Sequence, residues 1–307
     1  MSSSYPFPYH GATRLARRLG RFVDRWQRGG IERYSLAAAE APRPPLRWHP
    51  DEEIEISEHF LRLRGFPEAF RGLRIVHLSD IHHGLFLPLQ AVRDAVELAN
   101  RLEPDLVVLT GDFVTFSPVY IAPVAEALAT LRARIGVYAV LGNHDFRVGP
   151  AQMARALRAA CIEVLRNAHT ALHRAGETLW VAGVDDLGYR ADLPRALRGI
   201  PLGAPAILLS HNPAIIHKAA RSGVSLVLSG HTHGGQVNLP VVGNIYGRSR
   251  EQMRFKAGWD RLGRTQIYVS RGIGTVVLPL RYRCPAEIPH LHLYPEREAH
   301  NPAHLYG

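Results

Sequence analysis

Five short polar clusters interrupt the apolar runs of this chain, and each carries residues able to bind a cation. They are SDIHHG with Asp80 and His82, GDFVT with Asp112, GNHDF with Asn143, His144 and Asp145, SHNP with His211, and GHTHGG with His231 and His233. Two histidines at i and i+2 on a strand point the same way, and in a glycine-rich turn they fan around one point. Neutral imidazole is the commonest metal ligand. Nitrogen and oxygen donors without thiolate suit Mn, Fe, Zn, Ni or Co better than a cysteine-rich structural zinc site. Seven such donors (Asp80, His82, Asp112, Asn143, His211, His231 and His233) are too many for one tetrahedral ion, but enough for two ions sharing a carboxylate. A pair of ions about 3.5–4 Å apart can clamp phosphorus during in-line displacement, lowering the pKa of a bridging water and neutralising phosphoryl oxygens. The glycines beside His231 and His233 fit this chemistry, because bulkier side chains would obstruct the turn and the approach of a substrate. Any single cluster has a plainer account as a capping Asp, a turn Asn or a core His. Five of them at strand ends do not.

The elements that must position these clusters alternate along the chain. EIEI and FLRLRG read as two short half-buried strands, and LRIVHLS as a core strand. LQAVRDAVELANRL is helical, DLVVLTGD a strand, VAEALATLRA a helix, GVYAVLGNHD a strand and PAQMARALRAA a helix. TLWVAGVDD, PAILLSHNP, VSLVLSGHTH and TQIYVSRG continue as strands. The pattern predicts a layered α/β fold with helices covering the sheet faces. In such sheets ligands gather outside the carboxyl ends of the strands, where all five clusters fall.

At 307 residues the chain can form one large α/β domain or two small ones. Its 46% hydrophobic and 21% charged content is that of an ordinary globular protein. Lys+Arg 37 against Asp+Glu 27 gives +10, which points to an anionic partner without identifying it. Two cysteines, Cys161 and Cys284, make no disulfide framework, so a reducing compartment is expected. The stretch from Ser222 to Gly247 has no formal charge, but its glycines, histidines and Pro240 exclude a lipid-facing helix. No apolar core follows the N-terminal arginines, so neither a secretory nor a twin-arginine signal is expected.

The basic charge is concentrated at the front, where residues 1–50 hold nine arginines and three acids. Within that stretch Leu15, Leu19, Phe22 and Trp26 form one helical stripe, with six arginines around the rest of the wheel. Gly29-Gly30 ends the helix, and the proline-rich APRPPLRWHP follows as a linker. Two accounts stand: a helix docked on its own core or a floppy tail on the one hand, and an in-plane helix on an anionic membrane surface on the other. Nucleic-acid binding is unfavoured, since the aromatics lie on the apolar stripe rather than between the basic residues. The resulting division is 1–50 arm and linker, 51–295 catalytic domain and 296–307 tail.

In order, D-x-H, G-D, G-N-H-D, a lone His after a strand, and G-H-x-H resemble the calcineurin-like metallophosphoesterase superfamily. The resemblance runs from about Glu52 to Leu293. LTGDFV, VLGNHDF, LLSHNP and LSGHTHGGQVNLP are similar to a bacterial branch of phosphodiesterases often held at membranes, including enzymes acting on UDP-2,3-diacylglucosamine in lipid A synthesis. The resemblance implies a four-layer α/β/β/α sandwich and a hydrolase of phosphoric ester or diphosphate bonds. It implies that Asp80, His82 and His233 hold a first metal, that Asp112 bridges, and that Asn143, His211 and His231 hold a second. It also implies that His144 faces the substrate, stabilising a phosphoryl oxygen or protonating the leaving group, with Asp145 orienting it. Many members have Asp or Asn where this chain has Thr115, which puts support of the neighbouring loop in question. His83 is read either as a substrate contact or as a supporting residue. The expected substrate is a phosphodiester or pyrophosphate, lipid-linked or nucleotide-linked, met by a cytoplasmic protein peripheral to the membrane. A nuclease and a non-catalytic scaffold are the alternatives, separable by metal content, a model diester assay and salt-dependent DNA binding.

Other features carry less. RGIGTVVLP lacks the residues of a P-loop or dinucleotide fingerprint. Arg271, Arg281 and Arg283 are read as solvated surface or as phosphate contacts, and Cys161 as helix packing. Ser210 beside His211 lacks the further base and orienter of a hydrolase triad.

Overall fold

Leu106, Val107, Val108 and Leu109 are all apolar and all buried, a run suited to a strand covered on both faces. Successive side chains of this strand serve different cores, Leu106 and Val108 on one side, Val107 and Leu109 on the other. The same division recurs at Ile207, Leu208 and Leu209 and at Leu226, Val227 and Leu228. Three cores separated by two sheets make four layers, α/β/β/α.

The structure is a computed structural model describing residues 54–239, 243–244, 255–276 and 278–296. The N-terminal stripe, the proline-rich linker and most of the 296–307 tail lie outside the described residues. In chain order the strands are β1 (Glu55–Leu63), β2 (Leu73–Leu78), β3 (Leu106–Leu109), β4 (Gly136–Ala139), β5 (Glu163–Val164), β6 (Ala168–Arg174) and β7 (Glu177–Gly183). They continue with β8 (Ala206–Leu209), β9 (Leu226–Ser229), β10 (Asn238–Leu239), β11 (Gly243–Asn244), β12 (Gly258–Leu262), β13 (Thr265–Val269) and β14 (Glu287–Pro295). One six-stranded sheet has the order β1-β14-β2-β3-β4-β5 and the other β12-β13-β9-β8-β7-β6; β10 and β11 pair separately. Within them β2, β3, β4 and β5 run parallel, as do β7, β8, β9 and β13, so their carboxyl ends share a rim.

Helices α1 (Leu89–Arg101), α2 (Ile121–Leu128) and α4 (Pro150–Ala159) cover the outer face of the first sheet. In α1 the buried residues Val92, Ala95, Val96 and Ala99 recur at helical spacing. Each fully buried valine there contributes roughly 1.5–3 kcal/mol of transfer free energy. Between α2 and α4 lies the short helix α3 (Asn143–Val148). The short helices α5 (Leu193–Ala196) and α6 (Ile216–Arg221) pack on the second sheet. Among the described residues no helix is long and apolar enough to cross a membrane.

Two sequence expectations change. Glu55-Ile56 of EIEI and Phe60 to Leu63 of FLRLRG belong to one continuous nine-residue strand, because β14 pairs with it in parallel from Glu55 to Leu63. The reading of Cys161 as helix packing also fails: the residue is exposed, just past α4, at a positive φ of 59°.

Candidate metal centre

The loops leaving β2, β3, β4, β8 and β9 bring the predicted donors together from both sheets. Asp80, His82 and His233 have donor atoms within 4.8 Å of one another, as do Asp80, Asp112 and His211. His82 Nε2 lies 3.1 Å from His233 Nε2, and His233 Nε2 lies 3.3 Å from Asp80 Oδ1. Asp112 Oδ2 stands 3.4 Å from His82 Nε2 and 3.2 Å from His211 Nε2. His211 Nε2 is in turn 3.1 Å from Asn143 Oδ1 and 3.1 Å from His231 Nδ1. The seven donors thus form one continuous group, with Asp112 between its two ends.

The backbone that delivers them is unusual. Asp80, His82, Asp112, His231 and His233 all adopt left-handed conformations, with φ of 50°, 50°, 56°, 74° and 51°. Non-glycine residues pay conformational energy there, and such strain collects at functional sites. Close approach explains two of the glycines. A Cβ on Gly230 would sit 1.9 Å from Ser79 Oγ and 2.1 Å from Asp80 Oδ2. One on Gly142 would sit 2.2 Å from Asp112 Oδ1. Strand ends from different loops meet at these points with no room for a side chain.

The surrounding groups fix which imidazole nitrogens face inward. Thr115 Oγ1 donates to the His82 carbonyl at 3.3 Å and so accepts from His82 Nδ1 at 3.2 Å. That leaves the His82 lone pair on Nε2, facing Asp112 and His233. His144 Nδ1 donates to the Thr115 carbonyl at 2.9 Å, again freeing Nε2. His211 Nδ1 donates to the Thr110 carbonyl at 2.8 Å. Below Asp80 a buried chain runs from His77 through Thr110 Oγ1 (2.8 Å) and Ser79 Oγ (2.7 Å) to Asp80 Oδ2 (2.6 Å).

Charge at the centre fits a cation. Burial pushes the Asp80 carboxyl up, and the nearby Asp112 adds to this. Burial also opposes the Asp112 charge, but His211, His144 and His82 hold its carboxyl well below the ordinary range. His211 responds oppositely: against its burial, Asp112 and Asp80 push it up to about 10. Burial, with the neighbouring His211, lowers His231 to about 4, and burial with Arg281 lowers His233 to about 3. The cluster therefore draws one positive charge onto His211 while burial keeps His82, His231 and His233 neutral. The Nε2 atoms of His82 and His233 converge at 3.1 Å, and with both rings neutral at least the His82 lone pair points into the gap. Divalent ions satisfy both conditions, so the residues fit the metal their chemistry suggests.

Three predicted roles shift. The carboxylate of Asp145 is not on the His144 ring; it accepts backbone N–H bonds from Asp112 (2.8 Å), Phe113 (2.9 Å) and Gly142 (2.9 Å). Orientation of His144 falls instead to the Thr115 carbonyl, because Asp145 faces back across the turn it caps. Thr115 itself supports the loop that its identity put in question. Arg281 is neither solvated nor free for phosphate: it is buried, with Nη2 donating to the carbonyls of Arg271 (2.9 Å) and Gly272 (3.0 Å). Arg271 pairs with Glu55 at 3.0 Å and Glu287 at 3.2 Å, while Arg283 is exposed. His83 is buried, its Nδ1 donating to the Leu87 carbonyl at 2.9 Å with its ring against Tyr120.

Sequence reasoning missed two contributors. Cys284 Sγ donates to the His233 carbonyl at 3.1 Å and helps hold that left-handed residue. The His77–Thr110–Ser79 chain joins an interior residue of β2 to the first residues past β2 and β3, and nothing in their types sets them apart from ordinary strand-end polar residues.

A family profile described as Calcineurin-like phosphoesterase matches residues 73–235. The uncharacterized metallophosphoesterase YkuE of Bacillus subtilis is 34% identical over 244 residues, covering 76% of this chain and 84% of that protein. Phosphodiesterase YaeI of Escherichia coli is 32% identical over 244 residues, covering 78% of this chain and 88% of its own length. A zebrafish (Danio rerio) transmembrane protein with metallophosphoesterase domain is 34% identical over 241 residues, which are 73% of this chain. The match spans about half the length of that protein, 54%.

Proposed function

The chain belongs to the calcineurin-like phosphoesterase family, and from that premise we propose that it is a dinuclear metal-dependent phosphodiesterase. One observation carries the reading: a single oxygen, Asp112 Oδ2, stands between His82 Nε2 at 3.4 Å and His211 Nε2 at 3.2 Å. In this reading Asp80, His82 and His233 hold one ion, Asn143, His211 and His231 the other, and Asp112 serves both. When bound, such a pair supplies Lewis-acid neutralisation of phosphoryl oxygens and a nucleophile active near neutral pH. His144, fixed through Nδ1, presents Nε2 to the substrate, where it stabilises a phosphoryl oxygen or donates a proton to the leaving oxygen. Asp145 keeps the turns that carry Asp112 and His144 at a fixed separation.

The substrate is a phosphodiester or pyrophosphate, lipid-linked or nucleotide-linked, of the type of UDP-2,3-diacylglucosamine. The similarity to phosphodiesterase YaeI supports the diester class. The arginine-rich stripe of residues 14–28 supports a peripheral position on a cytoplasmic, anionic membrane surface. In this reading residues 51–295 are the catalytic domain, between the 1–50 arm and the 296–307 tail.

The test is a screen of the Mn- or Zn-loaded protein against nucleotide-diphosphate lipids, cyclic nucleotides, phospholipids, DNA and bis(p-nitrophenyl) phosphate. Metal-dependent turnover of the model diester, with preference for a lipid-linked diphosphate, supports the full reading. No metal-dependent turnover of any diester removes it, and preference for DNA moves the substrate to nucleic acid. The membrane part has its own test: the full chain with Phe22 and Trp26 replaced by serine should no longer sediment with anionic vesicles in moderate salt. Unchanged sedimentation refutes that placement.

A further inference from the structure

A second group of metal-ligand residues lies away from the strand-end rim. On β14, Leu291 and Leu293 face the core between the sheets, whereas Ile288 faces the helix-covered core. Alternation therefore puts His290 and His292 on the same outer face as Ile288. Glu58 of the edge strand β1 pairs in register with His290, and Phe60 with His292. Donor atoms of Glu58, His290 and His292 all lie within 4.8 Å of one another. His292 Nε2 is 3.0 Å from Glu58 Oε1, His290 Nδ1 is 4.0 Å from the same oxygen, and the two imidazole centroids are 4.3 Å apart.

We propose that Glu58, His290 and His292 bind a divalent transition-metal ion of the zinc class, which clamps the edge strand β1 to β14. Two imidazoles and a carboxylate are a common zinc ligand set, with a fourth position open to water. An independent observation points the same way. The Nε2 atoms of both histidines are shielded from solvent and have no hydrogen-bond partner, and His290 is only 7% exposed. Buried nitrogens without partners are rare, and an ion is one of the few things that satisfy them. His292 Nε2 has Glu58 Oε1 beside it at 3.0 Å, so the nitrogen with neither a hydrogen bond nor an ion pair is His290 Nε2.

The electrostatic surroundings are compatible with a cation. Burial, reinforced by His292, lowers the pKa of His290, which keeps its lone pair available at neutral pH. Arg74, in register with His292 on the next strand, opposes positive charge at His290, but its guanidinium is drawn toward Glu103 at 3.7 Å. Phe60 stacks on His292 at 4.6 Å with a 17° tilt and holds that ring in place. Arg74 precedes Asp80 by six positions on the same chain, about 20 Å of extended backbone. This group is therefore separate from the strand-end centre.

The experiment uses the full chain, loaded with its strand-end ions and dialysed to equilibrium against micromolar zinc. Zinc per chain is counted in the parent, His292→Gln and Glu58→Gln. Each variant should hold one zinc fewer than the parent while hydrolysing bis(p-nitrophenyl) phosphate at the parental rate. Added zinc should slow amide exchange in Glu55–Leu63 of the parent and leave both variants unchanged. Glu58 is an exposed side chain, so its amide replacement preserves the fold if the histidine variant does not. Equal zinc content in the parent and Glu58→Gln overturns the proposal. The comparison is a difference between parent and variant, so it stands or falls whatever number of ions the strand-end centre takes.

Discussion

The carbonyl of Thr115 accepts the Nδ1 proton of His144 at 2.9 Å, while the same residue's hydroxyl holds His82 through Nδ1 at 3.2 Å. One residue thus orients two imidazoles by different atoms. The two contributions can be separated, because substitution removes the hydroxyl and leaves the carbonyl. Thr115→Val should weaken metal affinity by about 10–100-fold, the usual cost of losing a group that orients a ligand. Thr115→Ser should restore it. Calorimetric titration with Mn or Zn decides the matter, and parental affinity in Thr115→Val would show that the hydroxyl is idle.

His144→Ala should keep its full metal content and lose turnover by roughly 10²–10⁴-fold, the range of general acid–base catalysis. The loss should shrink for diesters with good leaving groups if proton donation is the main contribution. A uniform loss across leaving groups assigns the residue to phosphoryl-oxygen stabilisation, and unchanged turnover removes it from the chemistry.

Asp112 is the donor placed between both ends of the cluster, so Asp112→Ala should lose both ions together. Elemental analysis after dialysis is the check. Retention of one ion would mean that the two positions do not share this carboxylate.

His77 makes acid stability a sequence-specific property. Burial lowers its pKa from 6.5 to about 4, so it stays neutral in the fold. The unfolded chain takes up a proton below pH 6.5 that the native state refuses until about pH 4. Stability therefore falls as pH drops through that window, by roughly 2–3 kcal/mol at its lower end for this group. His77→Gln, which keeps a donor for Thr110 but does not titrate, should show a correspondingly shallower decline. Urea unfolding of metal-free protein at several pH values measures it, and parallel declines in parent and variant would refute the assignment.

The site was more legible than the sheets that carry it. Asp80, Asp112, His211 and His233 announced themselves because their residue types are rare at the ends of apolar strands. The strand β14 did not, since EIPHLHLYP contains Pro289 and Pro295 and its parallel partner lies more than two hundred residues earlier, Glu55 against Glu287. Prolines argue against a strand locally, and only the distant partner overrides them. Arg281 was misread for a similar reason. A guanidinium in a basic-looking segment reads as surface until the carbonyls of a folded loop are seen to surround it. Asp145 adjoins His144 in the chain, but adjacency does not tell which way a carboxylate faces.

The donors of the strand-end centre are divided between the sheets. Asp80, His82, Asp112 and Asn143 follow strands of the first, and His211, His231 and His233 follow strands of the second. A ligand held by both halves binds only the chain in which the halves are joined, so mass action ties occupancy to the folding equilibrium. At a free-ion concentration one hundred times its dissociation constant, a single ion stabilises the joined state by about 2.7 kcal/mol. If the centre is filled as proposed, a chelator should consequently loosen the contact between the layers without touching the apolar residues that form it.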